Sequence, residues 1–162
     1  MLETSRLIIR PWSTDDADDL YRYASDSRVS ELALWPCHTD VAMSRTVIET
    51  YFMPNPDTYA IALKESGEVV GCIGLVPVGD EHYPPLPHER EVGYWIGYPL
   101  WNHGYTTEAL RELIEYCRQR SDISSLLITT DERNTASQRV AEKCGFKLIG
   151  HYNDGRAYRL TL

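Results

Sequence analysis

The chain has 162 residues, 43% of them hydrophobic, and a formal net charge of −8. This size and composition suit one compact domain over residues 1–162 with a substantial core, and they exclude a low-complexity or repeat architecture. No basic stripe with interleaved aromatic residues accompanies the acidic balance, so we expect no nucleic-acid partner. An acidic surface instead attracts cationic substrates, amines among them.

The start of the chain, MLETSRLIIRPW, mixes polar and apolar residues at strand spacing and lacks the long apolar core of a signal peptide. No stretch approaches membrane-spanning length. The cysteines lie at positions 37, 72, 117 and 144, without CxxC spacing or the clustering of zinc ligands. We therefore expect free thiols in a reducing cytoplasm, no membrane partner and no metal.

Four elements are predicted in the first half of the chain: a strand over 6–10, a helix that reaches about residue 24, a helix over about 40–51 and a hairpin over 58–78. Ser13 and Asp16 have the spacing of a capping box at the start of the first helix. The hairpin joins two apolar strands at the Glu65-Ser66-Gly67 turn.

The second half begins with a proline-rich stretch, HYPPLPHE, which we interpret as an exposed loop between two strands because proline removes ladder donors. The elements that follow are a strand over 91–96, a helix over 105–118, a strand over 125–130, a helix from about 134 to Gly145 and a hairpin around Asn153-Asp154-Gly155. The order β, α, α, β, β, β, α, β, α, β, β predicts an α+β fold with one central mixed sheet.

The stretch WNHGYTTEAL, residues 101–110, joins the end of a strand to the start of a helix through a glycine turn. The first N–H groups of a helix have no intrahelical partner and lie at its positive end, so this turn is suited to bind an anion such as phosphate. The alternative is that Gly104 only turns the chain and that Thr106 or Thr107 caps the helix.

Four motifs occur in register along the chain: ETSRLIIRPW at the start, GYWIG before the turn, GYTTEAL after it, and NTASQRVAEKCGF over 134–146. Together they resemble the Gcn5-related N-acetyltransferase (GNAT) family, and within it the branch that acetylates the N-termini of ribosomal proteins. The resemblance covers nearly the whole chain. It implies a mostly antiparallel sheet of about seven strands with helices on both faces, splayed between the fourth and fifth strands, and acetyl-coenzyme A as the donor to an amine acceptor.

The resemblance also implies which residues hold the cosubstrate. The pyrophosphate is expected on the backbone amides of the turn: Asn102, His103, Gly104, Tyr105, Thr106 and Thr107. The pantetheine arm is expected to pair with strand backbone, with Trp95, Ile96 and Gly97 as its partners by position. Asn134 matches an asparagine that bonds pantetheine, although it is equally suited to cap a helix. Trp101 and Thr106 depart from the family pattern of Gln/Arg and Gly/Ala.

Many family members use a tyrosine on the last helix as the acid that protonates the leaving thiolate. That position is Ala141 here. The ribosomal-protein branch uses a serine one turn earlier, and Ser137 matches it, so we expect its hydroxyl to act as the acid. The alternative is that Ser137 only caps the helix after Asn134.

Glu91, acting through water, is the first candidate for the general base, and a solvated strand-end acid is the alternative for it. We expect its neighbour Glu89 to point to the opposite face of the sheet. Asp154 and three loop histidines are further candidates: His38, His88 and His103.

The pKa values of the candidate amines indicate which acceptor is easier to acetylate. A free α-amine with a pKa near 8 is roughly a tenth neutral at pH 7, whereas a lysine amine is about 0.04% neutral. This favours a protein or peptide N-terminus. A small-molecule amine (polyamine, amino acid or antibiotic) is the alternative, and a non-catalytic coenzyme A-binding module is a third. Monomer and homodimer both remain open.

Overall fold

The computed structural model describes all residues from Met1 to Leu162, in eight strands and five α-helices. The strands are β1 (Leu2–Glu3), β2 (Leu7–Pro11), β3 (Thr58–Leu63), β4 (Val69–Leu75), β5 (Glu89–Ile96), β6 (Ser125–Asp131), β7 (Lys147–Tyr152) and β8 (Gly155–Thr161). The helices are α1 (Ala17–Ala24), α2 (Ser27–Ala33), α3 (Val41–Val47), α4 (Tyr105–Arg118) and α5 (Thr135–Lys143).

All strands join one sheet in the order β1-β2-β3-β4-β5-β6-β8-β7. Every neighbouring pair is antiparallel except β5 and β6, which run parallel. The predicted mixed, mostly antiparallel sheet is therefore confirmed. The short strand β1 adds one more strand to the seven that were expected.

The parallel pair β5–β6 separates soon after it begins. Only Glu89, Arg90 and Glu91 pair with β6, opposite Ser125–Leu127. From Val92 onward β5 pairs with β4 alone. The expected splay is thus confirmed, and we refer to the wedge between β5 and β6 beyond Glu91 as the gap.

The sheet separates two apolar cores because successive side chains of a strand point to opposite faces. The larger core lies under α4 and α5 and takes Val92 and Ile96 from β5. The smaller core lies under α1 and the end of α3, and Trp95 packs against it. Helices therefore cover both faces, and side chains of even and odd number on β5 belong to different sides of the protein.

Some helix boundaries differ from the expectations. Helix α4 spans the predicted range, and Ser13 and Asp16 form the predicted capping box, here around a 3₁₀ turn that leads into α1. Helix α2 was not predicted; it is capped by Asp26 and ends at Leu34, whose positive φ of 64° takes the place of a C-terminal glycine. The last turn of α3 widens into a π-helical turn over Ile48–Phe52.

No helix has both the length and the apolar character to cross a membrane.

Candidate functional site

The turn before α4 presents a run of unpaired backbone donors. Asn102 and Gly104 adopt left-handed conformations with φ of 62° and 79°. Gly104 is the N-cap residue, and no side chain caps the helix, so the alternative in which Thr106 or Thr107 is the cap is wrong. None of the N–H groups of residues 102–107 donates to a backbone acceptor, since the first helical bond runs from Glu108 to Gly104 O. These donors surround the positive end of α4.

Glu108, in the first turn of α4, ties the helix start to the N-terminal segment. One carboxylate oxygen accepts hydrogen bonds from the hydroxyls of Thr4 and Ser5 and from the Arg6 N–H, and the other accepts from Arg6 Nε at 2.8 Å. Burial alone would raise the pKa of Glu108, but the hydrogen bonds from Thr4 and Arg6 outweigh it and lower this pKa to about 2.

Arg6 also holds the turn itself. Its Nη1 donates to His103 O at 3.0 Å, and its guanidinium lies 4.1 Å from the centre of the Tyr105 ring. Beside this contact is an open polar groove of about 650 Å³ with a mixed-charge lining: Arg6, Arg111, Lys143, Glu108, Glu112 and Glu115. Arg6 therefore contacts the turn at two places, His103 and Tyr105.

The alternation of β5 decides which backbone groups face the gap. Gly97 N donates to Val70 O on β4 at 2.8 Å, so Gly97, and Trp95 two residues before it, direct their backbone groups toward β4. Tyr94 and Ile96 therefore direct theirs toward the gap. Of the three residues predicted to pair with pantetheine, only Ile96 directs its backbone groups toward the gap, and Tyr94 does so as well.

Trp101 closes one end of the gap-facing backbone. Its indole Nε1 donates to Ile96 O at 2.9 Å, and its ring packs against Tyr98 with centroids 5.0 Å apart. The departure from the family pattern at this position thus has a structural role. The Trp101 indole donates a hydrogen bond to the carbonyl of Ile96, and the N–H of Ile96 still faces the gap.

Helix α5 brings Ser137 to the α4/α5 side of the gap. Asn134 is the N-cap, and its side-chain oxygen accepts from Ser137 N at 3.1 Å. The hydroxyl oxygens of Ser137 and Tyr94 lie 2.9 Å apart, and the Tyr94 hydroxyl also lies 3.2 Å from Ser137 O. Burial raises the pKa of Tyr94, so its hydroxyl stays protonated. Ala141, where other family members have the tyrosine acid, is buried in the core.

Glu91 lies on the other face, at the apex of the gap. Its side chain is only 3% exposed. The carboxylate accepts from His82 N at 2.7 Å, from His82 Nδ1 at 2.9 Å and from Thr129 Oγ1 at 2.6 Å. Glu91 is therefore not the solvated strand-end acid that the sequence allowed.

Glu89 shares this face with Glu91, and the expectation that it points the opposite way is wrong. Residues two apart on a strand project to the same side. Glu89 is buried and accepts from Ser125 Oγ at 2.9 Å and from Arg159 Nη2 at 2.9 Å. Burial would raise the pKa of Glu89, but the hydrogen bonds from Arg159, Leu86 N and Ser125 outweigh it and lower this pKa.

The three histidines proposed from the sequence do not lie together. His38 is buried, bonds Ser44 Oγ at 2.7 Å, and has a pKa lowered by burial. His88 and His103 are exposed in separate loops. The histidine at the gap is His82, in the proline-rich loop. Sequence reasoning did not single it out, because only the fold brings it beside Glu91.

Aromatic side chains flank Glu91 on the α1/α3 face. Trp35 and Trp95 pack edge to face with centroids 5.5 Å apart, and Tyr83 and Tyr152 pack with centroids 5.9 Å apart. Between Glu91 and Trp95 lies Gly93, which is exposed. The side of the sheet that carries Glu91 therefore also carries these four aromatic side chains. No group of three or more His, Cys, Asp or Glu side chains is arranged to hold a metal ion.

A mixed sheet that opens between two parallel strands lies beside a helix start with unpaired N–H groups, an arrangement suited to an extended ligand that carries phosphate. The chain belongs to the GNAT acetyltransferases, whose domain model matches residues 6–147. It is 27% identical over 157 residues to the uncharacterized N-acetyltransferase p20 of Bacillus licheniformis, a match that covers 94% of this chain and 85% of that protein.

Two of the solved structures that share the fold act on different acceptors. Spermidine N-acetyltransferase of Vibrio cholerae, in complex with coenzyme A and spermine, superposes with a TM-score of 0.78 at 12% identity, over 98% of this chain and 96% of that chain. RimL, a ribosomal L7/L12 α-N-protein acetyltransferase in complex with coenzyme A, gives a TM-score of 0.74 at 16% identity, over 98% and 96%. Both neighbours bind coenzyme A, and their acceptors differ.

The Glu108 cluster predicts an acid-dependent stability. Because the folded-state pKa of Glu108 lies below the ordinary 4.5, its contribution is complete above about pH 4.5 and is lost as the pH falls toward about 2. We expect Glu108→Gln to lower the free energy of unfolding by about 1–2 kcal/mol near pH 7, allowing for solvent screening. Urea unfolding at several pH values measures this difference.

The difference between wild type and Glu108→Gln should close across that acidic window. Glu112→Gln is the matched control, since Glu112 lies one turn further along α4 and forms none of these hydrogen bonds. A difference that stays constant down to the lowest pH would contradict the assignment.

Proposed function

We propose that this N-acetyltransferase acetylates the free α-amine of a protein or peptide N-terminus. The observation that carries the proposal is that every carboxylate on β5 and β6 has protein partners. Glu89 pairs with Arg159 and Asp131 with Arg133, while Glu91 accepts hydrogen bonds from His82 and Thr129. A polyamine carries several positive charges and calls for several unpaired carboxylates, whereas one α-amine does not.

The pKa of the acceptor supports the same choice. Near pH 7, deprotonating an α-amine with a pKa near 8 costs about 3 kcal/mol less free energy than deprotonating a lysine amine with a pKa near 10.4. The aromatic walls formed by Trp35, Trp95, Tyr83 and Tyr152 also suit the side chains of a peptide better than they suit a strongly hydrated polyamine.

The cosubstrate is assigned to the α4/α5 face. The N–H groups of residues 102–107 receive the pyrophosphate, and Arg111 and Lys143 are cations of the mixed-charge groove beside them. The N–H groups of Tyr94 and Ile96 in the gap, with the side-chain amide of Asn134, are the partners for pantetheine. This arrangement directs the thioester between β5 and β6, where both faces of the sheet reach it.

Ser137 is proposed to stabilise the leaving sulfur. When the Tyr94 hydroxyl donates to Ser137, the Ser137 hydroxyl keeps its own proton for the thiolate. The amine lone pair forms the C–N bond, the C–S bond breaks with its electrons on sulfur, and a proton from the amine nitrogen ends on the thiol.

The acceptor is tested with a panel of amines and acetyl-coenzyme A. We expect a peptide with a free N-terminus to give a kcat/KM at least about a hundredfold above that of the same peptide with a blocked N-terminus and a free lysine. Thiol release gives the rate, and mass spectrometry locates the acetyl group. A preference for spermidine would replace the proposal with the small-molecule alternative, and no turnover would favour the non-catalytic module.

The phosphate-binding turn is tested at Gly104. We expect Gly104→Val to weaken acetyl-coenzyme A binding by about tenfold or more, because its φ of 79° strains a β-branched residue and closes the turn. Gly104→Asn is the control, since asparagine tolerates this conformation. Calorimetry on folded variants gives the affinities. Equal affinity for wild type and Gly104→Val would remove the assignment.

The role of Ser137 is tested by Ser137→Ala. We expect a drop in kcat with little change in KM for acetyl-coenzyme A, as for an interaction that strengthens in the transition state. The Tyr94 hydroxyl retains the backbone carbonyl at position 137 as an acceptor, so the variant should fold. A change confined to KM would assign Ser137 to binding or capping instead.

A further inference from the structure

We propose that the imidazole of His82 is the catalytic base that receives the proton of the acceptor amine, and that Glu91 is a positioning residue which acts through it. The inference rests on the acetyl transfer described above and does not depend on which amine is the acceptor. It replaces the water-mediated role that the sequence suggested for Glu91.

Glu91 is poorly placed to take a proton itself. Its carboxylate is almost fully buried, and both oxygens are occupied: one accepts from His82 N, and the other accepts from His82 Nδ1 and Thr129 Oγ1. A carboxylate that is only 3% exposed and already accepts three hydrogen bonds from protein groups has little access to the proton of an incoming amine. It is suited to hold a neighbour in place.

His82 is placed to do what Glu91 cannot. Its side chain is 61% exposed, and its only side-chain partner is Glu91. With Nδ1 donating to the carboxylate, the neutral ring keeps the tautomer in which the Nε2 lone pair is open. The same carboxylate also holds the His82 backbone N–H, so the loop and the ring are fixed together. A buried carboxylate that orients an exposed imidazole is a recurrent design for proton transfer.

The pair lies where an amine would arrive. Glu91 is the last residue of β5 that pairs with β6, opposite Leu127. Thr129, two residues further along β6, contacts Glu91 from across the start of the gap. The pair is therefore at the apex of the gap on the α1/α3 face, and Ser137 is on the other. Base and acid approach the thioester from opposite faces of the sheet.

The protons balance across one turnover. His82 Nε2 takes one proton from the ammonium, and the neutral amine forms its C–N bond to the acetyl carbon as the C–S bond breaks. The second proton of the nitrogen ends on the sulfur, so the products are an amide and a thiol. The imidazolium then releases its proton to solvent, which its exposure permits.

The test compares His82→Gln with wild type on whichever amine wild type acetylates best, a polyamine included. The introduced side-chain amide retains a donor for Glu91, so folding should be unchanged. We expect kcat/KM to fall by about a hundredfold near neutral pH, with KM for acetyl-coenzyme A unaltered. His88→Asn is the matched control, because His88 is an exposed histidine of the same loop whose φ of 60° asparagine tolerates. It should retain wild-type rates.

Two further readouts separate a base from a structural residue. Added imidazole should restore part of the rate of His82→Ala, and should not accelerate wild type. Nitrogen NMR of wild type should show neutral His82 protonated at Nδ1, with that signal shifted in Glu91→Gln. Equal rates for His82→Gln and wild type, the opposite tautomer, or a loss confined to acceptor KM would overturn the proposal. An unexpected acceptor would overturn only the N-terminal assignment.

Discussion

The site depends on one feature of the sheet: β5 and β6 pair over three residues and then part. The parallel pairing of Glu89–Glu91 with Ser125–Leu127 sets the register of the two strands, and the gap begins directly after Glu91. Beyond it, the backbone groups of Tyr94 and Ile96 have no strand to bond, and unpaired strand groups seek a partner. Under the proposed function, the amides of the pantetheine arm are the groups that pair with them. The interstrand hydrogen bonds that are lost at the gap are offset by the packing of the two apolar cores against the faces of the sheet.

Long-range polar contacts fix the parts of the site that the sheet does not reach. The turn before α4 has no side-chain cap, and its shape is held by Arg6 and Glu108, residues separated by about a hundred positions in the sequence. In the same way the loop before β5 is held by Glu91 through His82. Each loop is thus anchored by one buried or partly buried carboxylate, which leaves its ligand-facing groups free.

Much of this architecture follows from local sequence. The glycine turn and the 105–118 helix were predictable because periodicity and turn chemistry act over a few residues. Helix α2 was missed since it is short and ends at Leu34 instead of a glycine. The contacts of Tyr94 with Ser137 and of His82 with Glu91 were not predictable, because each joins segments that only tertiary packing brings together. The face of Glu89 was within reach of the alternation rule, which places it with Glu91.

The alternation of β5 has a consequence for how such a protein diversifies. The even-numbered side chains from Val92 to Ile96 meet the core under α4 and α5, on the side where the cosubstrate is assigned, while Trp95 packs against the smaller core on the opposite side. Substitutions on one side of β5 can therefore accumulate without changing the side chains on the other side. Replacing Gly93 or Trp95 alters the space left for an incoming amine, and the packing of the neighbouring even-numbered side chains stays the same. One strand thus presents two interleaved sets of side chains that can change independently of each other.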